Sequence, residues 1–167
     1  MESKEWQAPG SLSPSSLGAF TACPLAFRFS YVQRLPEPPS APASKGTLVH
    51  RARERLHDRP ASERTLEIAL ADLGLAASEL AAHPEFAGLG LTDEEWDGFV
   101  VEAETLVRRY FDLEDPTRVN PIGLEIKLEA KLDKVTLRGI IDRLELDDEG
   151  ELVVTDYKTG NTPSERW

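Results

Sequence analysis

Apolar residues recur along this chain with two different periods. Up to residue 112 the spacing is helical; from Ile122 onward it is two. The clearest helix is 93–112, where Trp96, Phe99, Val100, Ala103, Leu106, Val107 and Tyr110 form one apolar stripe. Thr92 and Glu95 make a capping box at its start, and Asp115-Pro116 stops it. Ser13-Pro14 predicts an earlier helix start, a hydroxyl N-cap followed by proline at the first helical position, with Leu17 and Phe20 facing inward. Cys23-Pro24 interrupts that helix, and a second short one runs from Pro24 to about Val32. Residues 35–44 are Pro-rich and predict a stiff, extended connector. A helix follows over Gly46–His57, and 62–91 holds two short helices around His83-Pro84. Residues 1–12 read as a flexible lead to a single domain over 13–167.

After residue 120, Ile122, Leu124, Ile126, Leu128, Ala130 and Leu132 alternate with Gly123, Glu125, Lys127, Glu129 and Lys131, the pattern of a half-buried strand. Thr136–Leu146 and Leu152–Lys158 read as two more strands, joined by the turn Asp147-Asp148-Glu149-Gly150. The expected class is therefore α+β: N-terminal helices followed by a three-stranded antiparallel β-meander.

Composition narrows the classes. About 40% of the 167 residues are hydrophobic, enough for a real core. No apolar run approaches the ~20 residues of a membrane span, and the polar start has no signal-peptide pattern, so a cytoplasmic location is expected. Cys23 is the lone cysteine, which excludes a disulfide framework within the chain. Nineteen basic against 30 acidic residues give a net charge of −11. That argues against coating DNA by bulk electrostatics, but not against local binding through a divalent ion.

The candidate chemistry lies in residues 138–160. Alternation along the last strand puts Asp156 and Lys158 on one face, with Tyr157 on the other. Asp142, in the preceding strand, can approach Asp156 across the hairpin. Two carboxylates at adjacent strand ends make a hard oxygen site suited to Mg²⁺ or Mn²⁺. Lys158 beside it could stabilise phosphate charge or orient a water. The bland alternative is an ordinary hairpin with a solvated Asp/Lys pair.

The segment Gly139-Ile140-Ile141-Asp142, followed by Asp156-Tyr157-Lys158-Thr159-Gly160, resembles the hallmark of the PD-(D/E)XK nucleases in the version used by RecB-like exonucleases. The resemblance implies a restriction-endonuclease-like core, with Asp142 and Asp156 as metal ligands and Lys158 as the catalytic lysine. Gly46-Thr47-Leu48-Val49-His50 matches the family's Gly-x-x-x-His helix and implies that His50 joins the metal shell. His57 and His83 match nothing and read as surface residues. Glu125 and Glu129 both sit where relatives carry a glutamate near the site; which one corresponds is left open.

Leu12-Ser13-Pro14-Ser15-Ser16-Leu17 with Cys23-Pro24 looks like the family's N-terminal helix motif. In relatives with an iron–sulfur cluster this cysteine is one of four ligands. The other three are missing here, so a cluster is not possible within this chain, and Cys23 reads as a small buried hydrophobe. The family core continues beyond Asp-Tyr-Lys with a helix bearing Gln-x-x-x-Tyr and a further strand, for which Asn161–Trp167 are too short. The expectation is therefore an incomplete core with exposed sheet edges: a truncated gene product, a partial sequence, or a fragment completed by another chain.

The implied function is metal-dependent DNA cleavage in repair or recombination, with a helicase as a candidate partner. The alternatives are an inactive accessory module that binds DNA or protein, and an acidic interaction domain. Arg28, Arg34, Arg51, Arg53 and Arg55 are candidate backbone contacts, or a solvated helix face.

Overall fold

In a computed structural model, which describes residues 7–147 and 149–160, helices come first and the sheet follows. The described residues group into two compact units. One holds the residues up to Glu37 together with Ile126–Ile141. The other holds Pro38–Glu125 and the residues from Asp142 onward.

In the first unit a short strand β1 (Ser11–Leu12) precedes α1 (Pro14–Ala22) and α2 (Pro24–Phe27). Part of the expected lead is thus ordered as strand; its first six residues lie outside the described ones. Ser13 caps α1 as expected, in a reciprocal box with Ser16. Cys23 ends it with extended backbone, because Pro24 disfavours helix at the residue before it. A π-helical turn, Arg28–Val32, follows α2. Leu17 and Phe20 are exposed rather than inward. Phe20 packs edge-on against Phe27, which stacks on Tyr31, so the apolar surface is satisfied in an aromatic row rather than in a core. Cys23, expected as a buried hydrophobe, is also exposed at the α1–α2 break.

The second unit contains the core. Helix α3 spans Ala41–His57, starting five residues earlier than the apolar pattern indicates. Pro42 is tolerated because its missing N–H lies in the first turn, where that donor has no helical acceptor. The connector is correspondingly shorter. Then come α4 (Leu66–Leu80), α5 (Pro84–Ala87) and α6 (Asp93–Leu113), the last with the expected Thr92–Glu95 capping box. Leu48, Val49, Ala52 and Leu56 of α3 meet Ala69, Leu73, Ala76 and Ala77 of α4 and Phe99, Ala103, Val107 and Tyr110 of α6. His83, exposed, caps α5 by accepting the Glu85 N–H.

The sheet comprises β1, β2 (Pro121–Leu132), β3 (Val135–Leu146) and β4 (Leu152–Thr155), with β3 between β2 and β1 and β4 also paired to β3. The expected meander is present, with β1 added parallel to β3, Ser11 opposite Thr136. β3 and β4 are antiparallel, Arg143 opposite Thr155. In the turn between them Gly150 has φ +82°, and Asp147 Oδ1 accepts the Glu149 and Glu151 N–H groups; Asp148 lies outside the described residues.

His57, read from sequence as a surface residue, is only 4% exposed. It sits on the core side of α3, its Nε2 2.8 Å from the Tyr110 hydroxyl. Burial, then the nearby Arg64 and Arg143, push its pKa down to about 4. Below the ordinary value near 6.5 the unfolded chain takes up a proton that the folded chain refuses. Stability is therefore complete above that pH and is lost as pH falls toward 4. The expected loss is on the order of 2–3 kcal/mol. Urea titrations at pH 7 and 4.5 will show a drop for the unaltered chain that exceeds that of His57→Gln by this amount; equal drops would refute the assignment.

Candidate metal centre

Three elements bring one ionisable side chain each to the same place. The apolar face of α3 is pinned by the core, which sets His50 at its margin, one turn beyond Gly46. β2 contributes Glu125, whose backbone is left-handed at φ +47°. A non-glycine residue costs about 1–3 kcal/mol in such a conformation, and this strain re-aims its side chain. β3 contributes Asp142, the residue before its ladder with β4 begins.

One ligand atom from each lies within 4.8 Å of the others. His50 Nδ1 is 3.6 Å from both Glu125 Oε1 and Asp142 Oδ2. His50 Nε2 is 3.1 Å from the Tyr157 carbonyl oxygen. A carbonyl only accepts, so Nε2 donates to it, and Nδ1 faces the two carboxylates. Asp142 Oδ2 accepts the Tyr157 N–H at 2.7 Å. The cavity between them has a volume of about 10 Å³, room for one species the size of a water or an ion.

The donor set, one imidazole nitrogen and two carboxylates, suits a divalent cation. The electrostatics agree. Burial and then the neighbouring Asp142 raise the Glu125 carboxyl above its ordinary range, while His50 opposes the rise. Among the described residues no Lys or Arg pairs with either carboxylate. A cation at their meeting point would relieve the repulsion.

Tyr157, expected on the face opposite the chemistry, supplies both backbone groups to the cluster. Continuing the β3–β4 register would set Asp156 opposite Asp142. β4 instead ends at Thr155, because the Tyr157 N–H and carbonyl bond to Asp142 and His50 rather than to a strand. Asp156 is consequently not one of the three clustered residues. Its carboxylate pairs with Lys158 at 2.7 Å, and both side chains are more than half exposed.

The cluster also separates the two candidate glutamates. Glu125, at a positive φ, is one of the three clustered residues, whereas Glu129 pairs with Arg138 at 2.8 Å. Of the candidate backbone contacts, Arg51 and Arg55 pair with Glu54 and Glu79, and Arg53 is buried; Arg28 and Arg34 are exposed.

Gly46 allows close approach. A Cβ there would lie 3.2 Å from Thr159 Oγ1, in the segment after Lys158. Gly46→Ala gains helix propensity of about 1 kcal/mol but pushes that segment. The expected outcome is a thermal midpoint unchanged or slightly raised, with divalent-cation affinity reduced severalfold. Undiminished affinity would show that the approach is not needed.

Residues 11–167 match the PD-(D/E)XK nuclease superfamily. The chain belongs to this superfamily. Its helices-then-sheet order is consistent with the restriction-endonuclease-like fold, and the superfamily is one of metal-dependent nucleases that act on DNA. Among the described residues, His50, Glu125 and Asp142 form a group that could hold such an ion. The chain is also 27% identical over 178 residues to the Gene 69 protein of Mycobacterium phage D29, covering 92% of this chain. It spans 64% of that protein's length. No helix among the described residues is long and apolar enough to cross a membrane.

Proposed function

We propose that this chain is a RecB-like, Mg²⁺- or Mn²⁺-dependent exonuclease domain that hydrolyses phosphodiester bonds of DNA in repair or recombination, in the cytoplasm and alongside a helicase. The observation that carries the reading is the convergence of His50, Glu125 and Asp142 on one ion-sized cavity. His50 binds through Nδ1, and Glu125 and Asp142 through carboxylate oxygens. A divalent cation held there supplies charge for the scissile phosphate and acidity for the attacking water. Asp156, one residue from Tyr157, extends the acidic face toward solvent. Lys158, paired with Asp156 in the resting chain, exchanges that partner for a phosphate oxygen when DNA arrives. A cleft of about 280 Å³ beside this segment is lined by Arg109, Thr159 and the Lys45–Glu102 ion pair, and offers the strand a place to lie.

A second reading, an accessory module with a DNA- or protein-binding role only, draws on the exposure of the Asp156–Lys158 pair. End-labelled single- and double-stranded DNA, incubated with Mg²⁺, Mn²⁺ or EDTA, separates the two. Metal-dependent release of terminal nucleotides supports the exonuclease, internal cuts correct it to an endonuclease, and intact DNA under all conditions favours the accessory module.

A further inference from the structure

Arg53 lies one turn after His50 on α3 and is only 7% exposed. A buried guanidinium normally has a carboxylate partner. No carboxylate among the described residues forms an ion pair with it, although Arg51, Arg55, Arg59 and Arg143 all have one. Its Nε has no hydrogen-bond partner among those residues, and burial lowers its pKa. What it has instead is a ring. The guanidinium carbon stands 3.5 Å from the centroid of Tyr157 and 5.7 Å from that of Tyr110, and one terminal nitrogen is 3.5 Å from His50 Nδ1.

The other end of Tyr157 is also held. Its hydroxyl donates to Glu114 at 2.6 Å and accepts from Arg143. The ring is thus clamped at its face and at its tip. Its backbone is the peptide that donates to Asp142 and accepts from His50. The carbonyl fixes which nitrogen of His50 is free, and the N–H fixes one oxygen of Asp142.

We infer that Arg53 is a positioning residue of the metal centre: by stacking on Tyr157 it holds the peptide that orients His50 and Asp142 for a divalent cation. The role depends on the plane of the guanidinium rather than on its charge. A charge alone, next to the site, would repel a cation. An unpaired buried cation is also a poor choice for stability, since an apolar side chain of its size would be neutral or better. Residues kept against stability in this way are those a site requires.

The inference rests on the reading of the cluster as a metal site, and Arg53→Lys tests it without changing the charge. Mn²⁺ affinity by calorimetry and exchange of the Tyr157 amide by NMR without metal are the two readouts. The expected result for Arg53→Lys is Mn²⁺ binding weaker by about tenfold or more and faster Tyr157 exchange. Arg53→Met is expected to show the same losses, with a thermal midpoint equal to or above that of the unaltered chain. Mn²⁺ binding and exchange unchanged in Arg53→Lys would overturn the inference while leaving the metal site standing. Tighter binding in Arg53→Met would overturn it too, by showing that the charge dominates. A large loss of stability in both variants would assign Arg53 to the fold instead. Absence of Mn²⁺ binding by the unaltered chain would overturn both the inference and the metal reading on which it rests.

Discussion

Asp142→Asn is expected to reduce metal-dependent DNA cleavage by about a thousandfold or more, equivalent to about 4 kcal/mol of transition-state stabilisation. Asp142 Oδ2 has two roles in the resting chain. It accepts the Tyr157 N–H at 2.7 Å and faces His50 Nδ1 at 3.6 Å. Asparagine keeps the acceptor, so the turn into Tyr157 survives, but it removes one of the two negative charges that attract the ion. Asp142→Ala removes both and is expected to cost some stability as well. Glu125→Gln should follow Asp142→Asn in direction with a smaller loss, because its side chain is about one-third exposed against 12% for Asp142. Cleavage and Mn²⁺ affinity measured on the same samples make the test. Cleavage by Asp142→Asn within tenfold of the unaltered chain would remove Asp142 from the centre. Asp156→Asn completes the series: a loss as large as that of Asp142→Asn would bring the solvent-facing Asp156–Lys158 pair into the reaction, and full activity would leave it outside.

Much of the architecture was readable from pattern. The N-cap at Ser13, the capping box at Thr92, the break at Cys23-Pro24 and the turn at Gly150 are local, and each is present, because local chemistry is written in adjacent residues. The apolar pattern puts the start of α3 too late because Pro-rich composition reads as a connector, while a proline in a first turn is no obstacle. His57 was misplaced because nothing near it in sequence reveals that α4 and α6 close over that face of the helix. Leu17 and Phe20 were misplaced for the converse reason: their periodicity is helical, but in their unit aromatic contacts replace a buried core.

Two of the three residues of the candidate centre were legible. His50 and Asp142 could be named from their motifs, and the structure brings them together. Glu125 could be named only jointly with Glu129, since strict alternation gives both the same face. The choice is made by a positive φ at Glu125, and no residue type announces that in a glutamate. The approach of Asp156 to Asp142 followed from extending β4 by one pairing. The chain ends the strand before that pairing because Tyr157 has better acceptors and donors in His50 and Asp142. In sequence Arg53 reads with Arg51 and Arg55 as a run of basic residues on a helix. Their burial differs because successive residues on a helix point about 100° apart, and only Arg53 turns toward Tyr157.

The largest stability effect is expected at Arg143. It is 4% exposed and holds four groups: Glu114 at 2.7 Å, Glu145 at 3.0 Å, Thr155 Oγ1 at 3.2 Å and the Tyr157 hydroxyl. Burial alone would push the Glu114 carboxyl up, but its bonds from Arg143 and the two tyrosine hydroxyls outweigh burial and hold it below the ordinary range. Arg143→Ala strands that half-buried carboxylate and opens the β3–β4 seam. The expected cost is about 2–4 kcal/mol, a fall of very roughly 5–15 °C in thermal midpoint. Removing Glu114 as well takes away the stranded charge, so Arg143→Ala/Glu114→Ala should be less destabilised than the sum of the single variants, by about 1–3 kcal/mol. Additive losses would show that Arg143 acts through packing alone. Because Tyr157 loses one end of its clamp, Arg143→Ala should also weaken Mn²⁺ binding at temperatures where it is still folded. The result separates the two ends of the clamp: Arg143 serves both stability and the site, whereas Arg53 serves the site at no gain in stability.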